Sequence, residues 1–420
     1  MHVGASRLTA QFHEIVAPEE AGLCSIRLER LSDRISREVD ERKIPGAVVL
    51  VARYGKIAFF REFGFSDPDA RIPMAKDSLF RVASLTKPVT CTAALMLVEK
   101  GELLLDDPVS KYLAELKGVR VQGSVRQEAS REPTIHDLFR HTAGFTYGEF
   151  GSSAVHQTYR HLDVLDNAQT SQAMVEKLSG IPLVYEPATT FEYGMSTDVL
   201  GHAIERLTRK SLGELFKSSI LDPLGLRDTG FILDDRYRSR LAQPARDPAT
   251  ATRPWMPVYN DSYVAPRWHS GGGGLLSTAY DYYAFMQILL DGGTANGRRL
   301  LASKSVSWMT SNHLPPGVSY GEYMPALGVM APTPDRGQGF GLGFLVRLEE
   351  GRNSVPGSVG DFSWAGVSGT YAWADPREGL VAVLMMQAPG ERTRYRALMR
   401  HLVYQALLGR GHDQSKGGLQ

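Results

Sequence analysis

The sequence predicts an α/β (α+β) fold: a mainly antiparallel sheet flanked by helices, built from both ends of the chain, with a mostly helical lobe between. Two observations predict it. β-rich runs cluster near the start, at 46–64, and near the end, at 340–387, whereas the stretch from about 96 to 264 carries helical patterning. Strand-forming ends around a helical centre assemble one sheet from both termini. The chain has 420 residues, 43% of them hydrophobic, enough for a large core. The expected organisation is an N-terminal extension at 1–24, a discontinuous sheet domain at 25–95 and 265–410, a helical domain at 96–264 and a tail at 411–420.

Residues 25–43 place Ile26, Leu28, Leu31 and Ile35 at helical spacing with charges between them. In GAVVLVARYGKIAFFREFG (46–64) two β-rich runs flank Tyr54-Gly55-Lys56, which reads as a hairpin. A helix is predicted from about Leu85 to Lys100, with Gly101 at its C-cap and Pro88 tolerated in its first turn. TIHDLFRH, SQAMVEKL, STDVLGHAIERLTRK and SLGELFKSSIL are helical candidates separated by Gly-, Pro- and Asp-rich loops. Four glycines at 271–274 lead into a helix capped by Ser277 or Thr278. FGLGFLVRL, GTYAWADP and GLVAVLMMQ read as three strands, with ADPREG as a turn between the last two. A final helix is expected at about 392–408, followed by a frayed tail.

Composition excludes several functions. Net charge is +1, and no basic run carries interleaved aromatics, so nucleic acid is not expected as a partner. No stretch of about 18 apolar residues suggests a membrane span, and the N-terminus lacks the apolar core of a signal peptide. A cytoplasmic location is the expectation. Cys24 and Cys91 lie far apart and outside any metal-binding pattern. Cys91 reads as a small buried hydrophobe. His136, His156 and His161 show no ligand spacing with acidic partners, so neither metal nor cofactor is expected.

The chemistry is suggested at RVASLTKPVT (81–90), where Ser84 and Lys87 stand three apart at the mouth of an apolar helix. A serine hydroxyl needs a base within reach to become a nucleophile, and residues at i and i+3 share a helical face. To accept a proton a lysine must be neutral, a form favoured by burial and by the positive end of a helix. The same end offers free N–H groups to a developing oxyanion. About one S-x-x-K match is expected by chance in such a chain, and a plain helix start with a snorkelling lysine is the alternative. The rival nucleophile elbow G-x-S-x-G has no match, nor have H-E-x-x-H and Walker A. GFGLGF (339–344) is read as a strand entry.

Further motifs strengthen the first. HTAGF (141–145), DPLGLRDTGF (222–231) and GGGGLLSTAYDYYAF (271–285) follow SLTK (84–87) in order. In this set the chain resembles the serine β-lactamase and penicillin-binding-protein superfamily on its class C side, and most of all the family VIII carboxylesterases, over about residues 25–408. The resemblance implies a β-lactamase-like fold. The Y-x-N motif of class C enzymes becomes Tyr193-Gly194-Met195 here, and K-T-G becomes Trp364-Ala365-Gly366. These departures replace a cation and an amide by apolar surface, which suits an ester better than a β-lactam.

Carried over residue by residue, the resemblance implies that Ser84 attacks the carbonyl and that Lys87 and Tyr193 act as acid/base groups. Backbone N–H groups of Ser84 and Val367 form the oxyanion hole, and Trp364, Gly366, Met195 and Tyr147 shape the substrate pocket. His141 belongs to a motif that is structural in the family. Asp198 either caps or braces the helix carrying Tyr193 or is a plain surface residue. The expected activity is hydrolysis of short-chain carboxylic esters through a Ser84 acyl-enzyme. The alternatives are a β-lactamase, a D-amino-acid amidase or acyltransferase on the same scaffold, and a catalytically silent binding protein. The expected partner is a small-molecule ester, with β-lactams as a second class, and the resemblance points to a homodimer.

Overall fold

The computed structural model describes residues 14–123, 128–231, 235–244, 266–295 and 297–409. Its sheet starts from the predicted hairpin. β1 (Gly46–Arg53) and β2 (Lys56–Asp67) are joined through Tyr54 and Gly55, at φ 54° and 75°. Two successive left-handed residues make the turn whose twist matches that of paired strands. A short β3 (Ile72–Pro73) extends this edge. The other half comes from the far end of the chain: β4 (Gln338–Phe340), β5 (Leu345–Arg347), β6 (Phe362–Ala365), β7 (Tyr371–Asp375) and β8 (Leu380–Met386). The order is β4-β5-β6-β7-β8-β1-β2-β3, with every neighbouring pair antiparallel. β1 and β8, paired from Ala47↔Met386 to Arg53↔Leu380, close the chain ends onto each other and are buried throughout. An unbroken apolar run is what a strand covered on both faces requires.

FGLGFLVRL departs from the expected single strand. Gly343 adopts φ 98° and the Gly341 N–H donates to the Phe344 carbonyl at 2.7 Å, so the run folds back on itself as β4 and β5. A left-handed residue is accessible at low cost to glycine, and β-propensity on both sides concealed the turn.

The sheet is flanked by α1 (Ser25–Asp40), α4 (Ala279–Leu290) and α5 (Arg392–Tyr404). α4 packs on β1, β7 and β8, and α1 on β2 and α5. The Thr278 hydroxyl caps α4, accepting from the Asp281 N–H at 3.1 Å. α2 (Thr86–Glu99) carries Pro88 in its first turn, where no helical hydrogen bond is lost. α3 (Ser196–Thr208) packs on α2 within the mostly helical part of the chain. That part also holds helices at Ile135–Phe139, Ala154–His161, Ser171–Ser179 and Leu212–Phe216, the last running on into a π-helical turn at Lys217–Leu221. The tail expected at 411–420 lies outside the described residues; among the described residues no helix is long and apolar enough to cross a membrane.

Buried Glu38 ties α1 to α5. Arg394 donates to both carboxylate oxygens at 2.7 and 2.9 Å, Tyr395 donates at 2.5 Å, and Arg34 pairs from the preceding turn. The Arg394 hydrogen bond, opposed by burial, leads the effects that pull the Glu38 carboxyl down from 4.5 to about 2. A depressed carboxylate stabilises the fold above its unfolded pKa and loses that contribution as pH falls through the folded one. Glu38→Gln is therefore expected to lower Tm at pH 7 and to leave it nearly unchanged near pH 2. Thermal melts of both proteins across that range check this, and equal Tm differences at the two ends would contradict it.

Candidate active site

Ser84 sits at the end of a strained approach. Phe80–Arg81 pairs with Leu276–Ser277, and the chain then enters a 3₁₀ turn at Ala83–Leu85 just before α2. Ala83 has φ 48°, a left-handed conformation that costs a non-glycine residue about 1 kcal/mol or more. Ser84 is half-buried, whereas Lys87, one turn on, is 1% exposed. Lys87 Nζ lies 3.2 Å from Ser84 Oγ, 3.0 Å from the Tyr147 hydroxyl and 2.7 Å from the Gly272 carbonyl oxygen. Three acceptors satisfy the three N–H bonds of an ammonium. The same geometry serves a neutral amine, which would donate to Tyr147 and Gly272 and turn its lone pair to the serine.

Two phenols flank the amine. The Tyr193 ring stands 4.8 Å from Lys87 Nζ, edge-on to Trp364 at 5.3 Å and stacked on Tyr323 at 5.9 Å. The hydroxyl that meets Lys87, however, is that of Tyr147, a residue expected only to line the pocket. Burial, with the charge of Asp198 next, raises the Tyr147 phenol well above the usual range, so it is protonated at neutral pH. Sequence reasoning placed Tyr147 beside the cleft through its position just after HTAGF. The hydroxyl contact bridges positions 60 residues apart and has no local signal.

The serine opens into a cleft. Ser84, Tyr147, Tyr193, Trp364 and Val367 all line it. Gly366 stands just behind the wall. A Cβ there would lie 2.3 Å from the Val82 carbonyl oxygen, so only glycine lets the end of β6 run against the nucleophile turn. Thr370 Oγ1 donates to that same carbonyl at 2.9 Å and Ser368 Oγ to that of Arg81 at 2.6 Å, locking the two segments together. Met195 departs from its expected place in the pocket. It is fully buried and outside the cleft lining, its backbone N–H donating to the Thr146 carbonyl as the chain turns into α3. The apolar side chain at this motif position fills core.

Four charged residues of the lining were not singled out as pocket residues from sequence: Glu149, Asp198, Arg392 and Arg396. Asp198 Oδ1 accepts from Ser270 Oγ at 2.6 Å and from the Gly272 N–H at 2.9 Å. It thereby holds the glycine loop with the Gly272 carbonyl on Lys87, a bracing role rather than a surface one. Burial raises its carboxyl against the opposing pull of Lys87 and these donors. Burial also raises Glu149. His141 is buried, with its ring 4.8 Å from that of Tyr193, and is held neutral by burial and then by Lys87. It lies outside the cleft lining, as a structural residue would.

The chain is similar in sequence and in structure to several known proteins. The model of the family described as Beta-lactamase matches residues 31–405. Protein Rv1367c of Mycobacterium tuberculosis is 34% identical over 84% of this chain and 88% of its own. Esterase EstB of Burkholderia gladioli is 29% identical over 87% of this chain and 91% of its own. Among solved structures, EstCE1, described as a hydrolase with promiscuous acyltransferase activity, superposes with a TM-score of 0.75 at 26% identity, covering 90% of this chain and 99% of its own.

Proposed function

The chain belongs to the Beta-lactamase family, and on that premise we propose that it is a serine carboxylesterase acting on short-chain esters through a Ser84 acyl-enzyme. The observation that carries the reading is the 3.2 Å contact between Lys87 Nζ and Ser84 Oγ at the floor of a cleft walled by Trp364. The similarity to Esterase EstB supports it.

In this reading Ser84 Oγ attacks the ester carbonyl carbon while its proton passes to the neutral Lys87 amine. The carbonyl oxygen becomes an oxyanion held by the Ser84 and Val367 N–H groups. Collapse breaks the bond to the alcohol, which leaves with a proton returned from Lys87 through a neighbouring phenol. Water then attacks the acyl-enzyme by the same steps in reverse. Tyr193 relays the proton, and Tyr147, a neutral phenol, anchors the amine. Trp364 takes the place of the lysine that would meet a β-lactam's carboxylate, which favours esters over β-lactams.

A second reading, acyl transfer to an alcohol other than water, is supported by the description of EstCE1. The two readings share the acyl-enzyme and differ only in what removes the acyl group.

The test is stoichiometric labelling by a fluorophosphonate probe, with mass spectrometry to locate it, beside turnover of p-nitrophenyl esters, nitrocefin and D-alanyl amides. Labelling at Ser84 with highest efficiency on the short esters is expected. An unlabelled protein, or higher efficiency on nitrocefin, would overturn the proposal. Tyr193→Phe keeps the ring packing on Trp364 and removes only the hydroxyl. Its kcat is expected to fall about 10²-fold with KM little changed. A kcat within about twofold of wild type would take Tyr193 out of the proton path.

A further inference from the structure

Arg396 is an anomaly at the edge of the site. It projects from α5, is 4% exposed and lines the cleft. A buried cation is expensive unless paired, and among the described residues no carboxylate pairs with it. Its charged neighbour is a second cation, Arg392, and the other groups acting on it are the phenols Tyr323, Tyr371 and Tyr193. Burial first, then Arg392, pushes its pKa down to about 10, which still leaves it a cation at neutral pH. Its Nε is buried without a hydrogen-bond partner. Among the described residues its guanidinium makes one hydrogen bond, to the Gly366 carbonyl oxygen at 2.7 Å.

That carbonyl has no need of an arginine. It already accepts from the Gly369 N–H at 3.2 Å, and a neutral donor would serve the packing at lower cost. What is particular is the peptide unit to which the carbonyl belongs. Its N–H is that of Val367, which lines the cleft and finds no acceptor among the described residues.

We propose that Arg396 is a positioning residue for the oxyanion site: by donating to the Gly366 carbonyl it orients and polarises the Gly366–Val367 peptide, making the Val367 N–H a stronger donor to the developing oxyanion. Hydrogen bonds in series strengthen one another by roughly 10–30% each in a condensed phase. A fixed cation near a dry site adds its own field where negative charge appears, without reorganisation during the reaction. The buried, unpaired charge is then the functional element, in place before substrate arrives. This rests on the reading that the Val367 N–H receives the carbonyl oxygen, as in the mechanism above.

The experiment compares an ester with its thionoester, in which sulfur replaces the carbonyl oxygen, using the full-length protein and its Arg396→Met and Arg396→Lys variants. A thiolate-like sulfur gains little from hydrogen-bond donors, so an oxyanion site is read as the ratio of the two kcat/KM values. In Arg396→Met the ester rate is expected to fall about tenfold and the thionoester rate by much less, so that the ratio collapses with KM nearly constant. Arg396→Lys, which keeps a charged donor, is expected to restore part of the ratio. Equal losses on both substrates would mean that Arg396 only supports the fold, and would overturn the proposal. A wild-type enzyme that does not discriminate between the two substrates would instead remove the oxyanion reading itself, while Ser84 labelling would still report on the esterase reading. Circular dichroism of each variant separates misfolding from these outcomes. Should Arg396→Met misfold, an unchanged ratio in a folded Arg396→Lys enzyme with a tenfold lower rate decides against the proposal, and a lowered ratio decides for it.

Discussion

Ser84→Ala is expected to reduce turnover of p-nitrophenyl butyrate roughly 10³-fold or more, with little change in stability. The size follows from the way nucleophile and base act as a unit: once the hydroxyl is gone, Lys87 has nothing to deprotonate, and only positioning and oxyanion stabilisation remain. The fold should barely register the change. Ser84 is half-buried and its hydroxyl contacts Lys87, which keeps Tyr147 and Gly272 as partners. Ser84 lines the cleft, where water can take the hydroxyl's place beside Lys87, so the expected shift in stability is within about 1 kcal/mol. Loss of activity with an unchanged melting curve therefore separates chemistry from unfolding. Turnover equal to wild type, in a preparation shown by mass to be free of serine enzyme, would end the acyl-enzyme account. A kcat reduced only a few-fold would point to water activated directly, with Ser84 as a binding group.

What the sequence made legible was local. The hairpin at Tyr54-Gly55, the start of α2 near Pro88 and the cap of α4 depend on neighbours within a turn or two, where glycine, proline and side-chain caps act. The Ser84–Lys87 contact is local as well, since three positions on a helical face bring the two side chains together. Tyr193, Trp364 and Val367 were reached by resemblance alone, as nothing in their immediate sequence marks them. The remainder of the site depends on long-range closure. Gly272 reaches Lys87 across 185 residues, Thr370 reaches Val82 across 288, and Arg396 reaches the Gly366 carbonyl, just past β6, across 30. An isolated arginine in RTRYRALMR reads as helix surface, because charge at that spacing is usually solvated. Only its hydrogen bond to the Gly366 carbonyl, just past β6, and its place in the cleft wall reverse that. Met195 shows the opposite failure: its place in the motif suggested the pocket, and backbone pairing with Thr146 turned it into the core.

The largest expected loss of stability is at Asp361, a residue outside the cleft that governs its geometry. Arg347 on β5 donates to Asp361 Oδ2 at 2.7 Å, while Arg400 on α5 donates to Oδ2 at 2.9 Å and to Oδ1 at 3.1 Å. All three side chains are 1–2% exposed. One carboxylate thus holds two buried guanidinium groups, and Arg400 reaches further, to the Tyr371 hydroxyl at 2.8 Å. Attraction within such a cluster roughly offsets the desolvation of its members, but removing the shared anion leaves two cations buried and facing each other. Asp361→Ala is accordingly expected to destabilise the protein by about 3–5 kcal/mol, read as a lower urea midpoint. Asp361→Asn, which keeps one acceptor and the shape, should lose less. Because Asp361 immediately precedes β6, which carries Trp364, and α5 carries Arg396, partial loosening should also widen the cleft and lower esterase activity below the unfolding midpoint. A loss under about 1 kcal/mol for Asp361→Ala would mean that solvent reaches the two arginines readily, and that the coupling of α5 to the sheet resides in its apolar face instead.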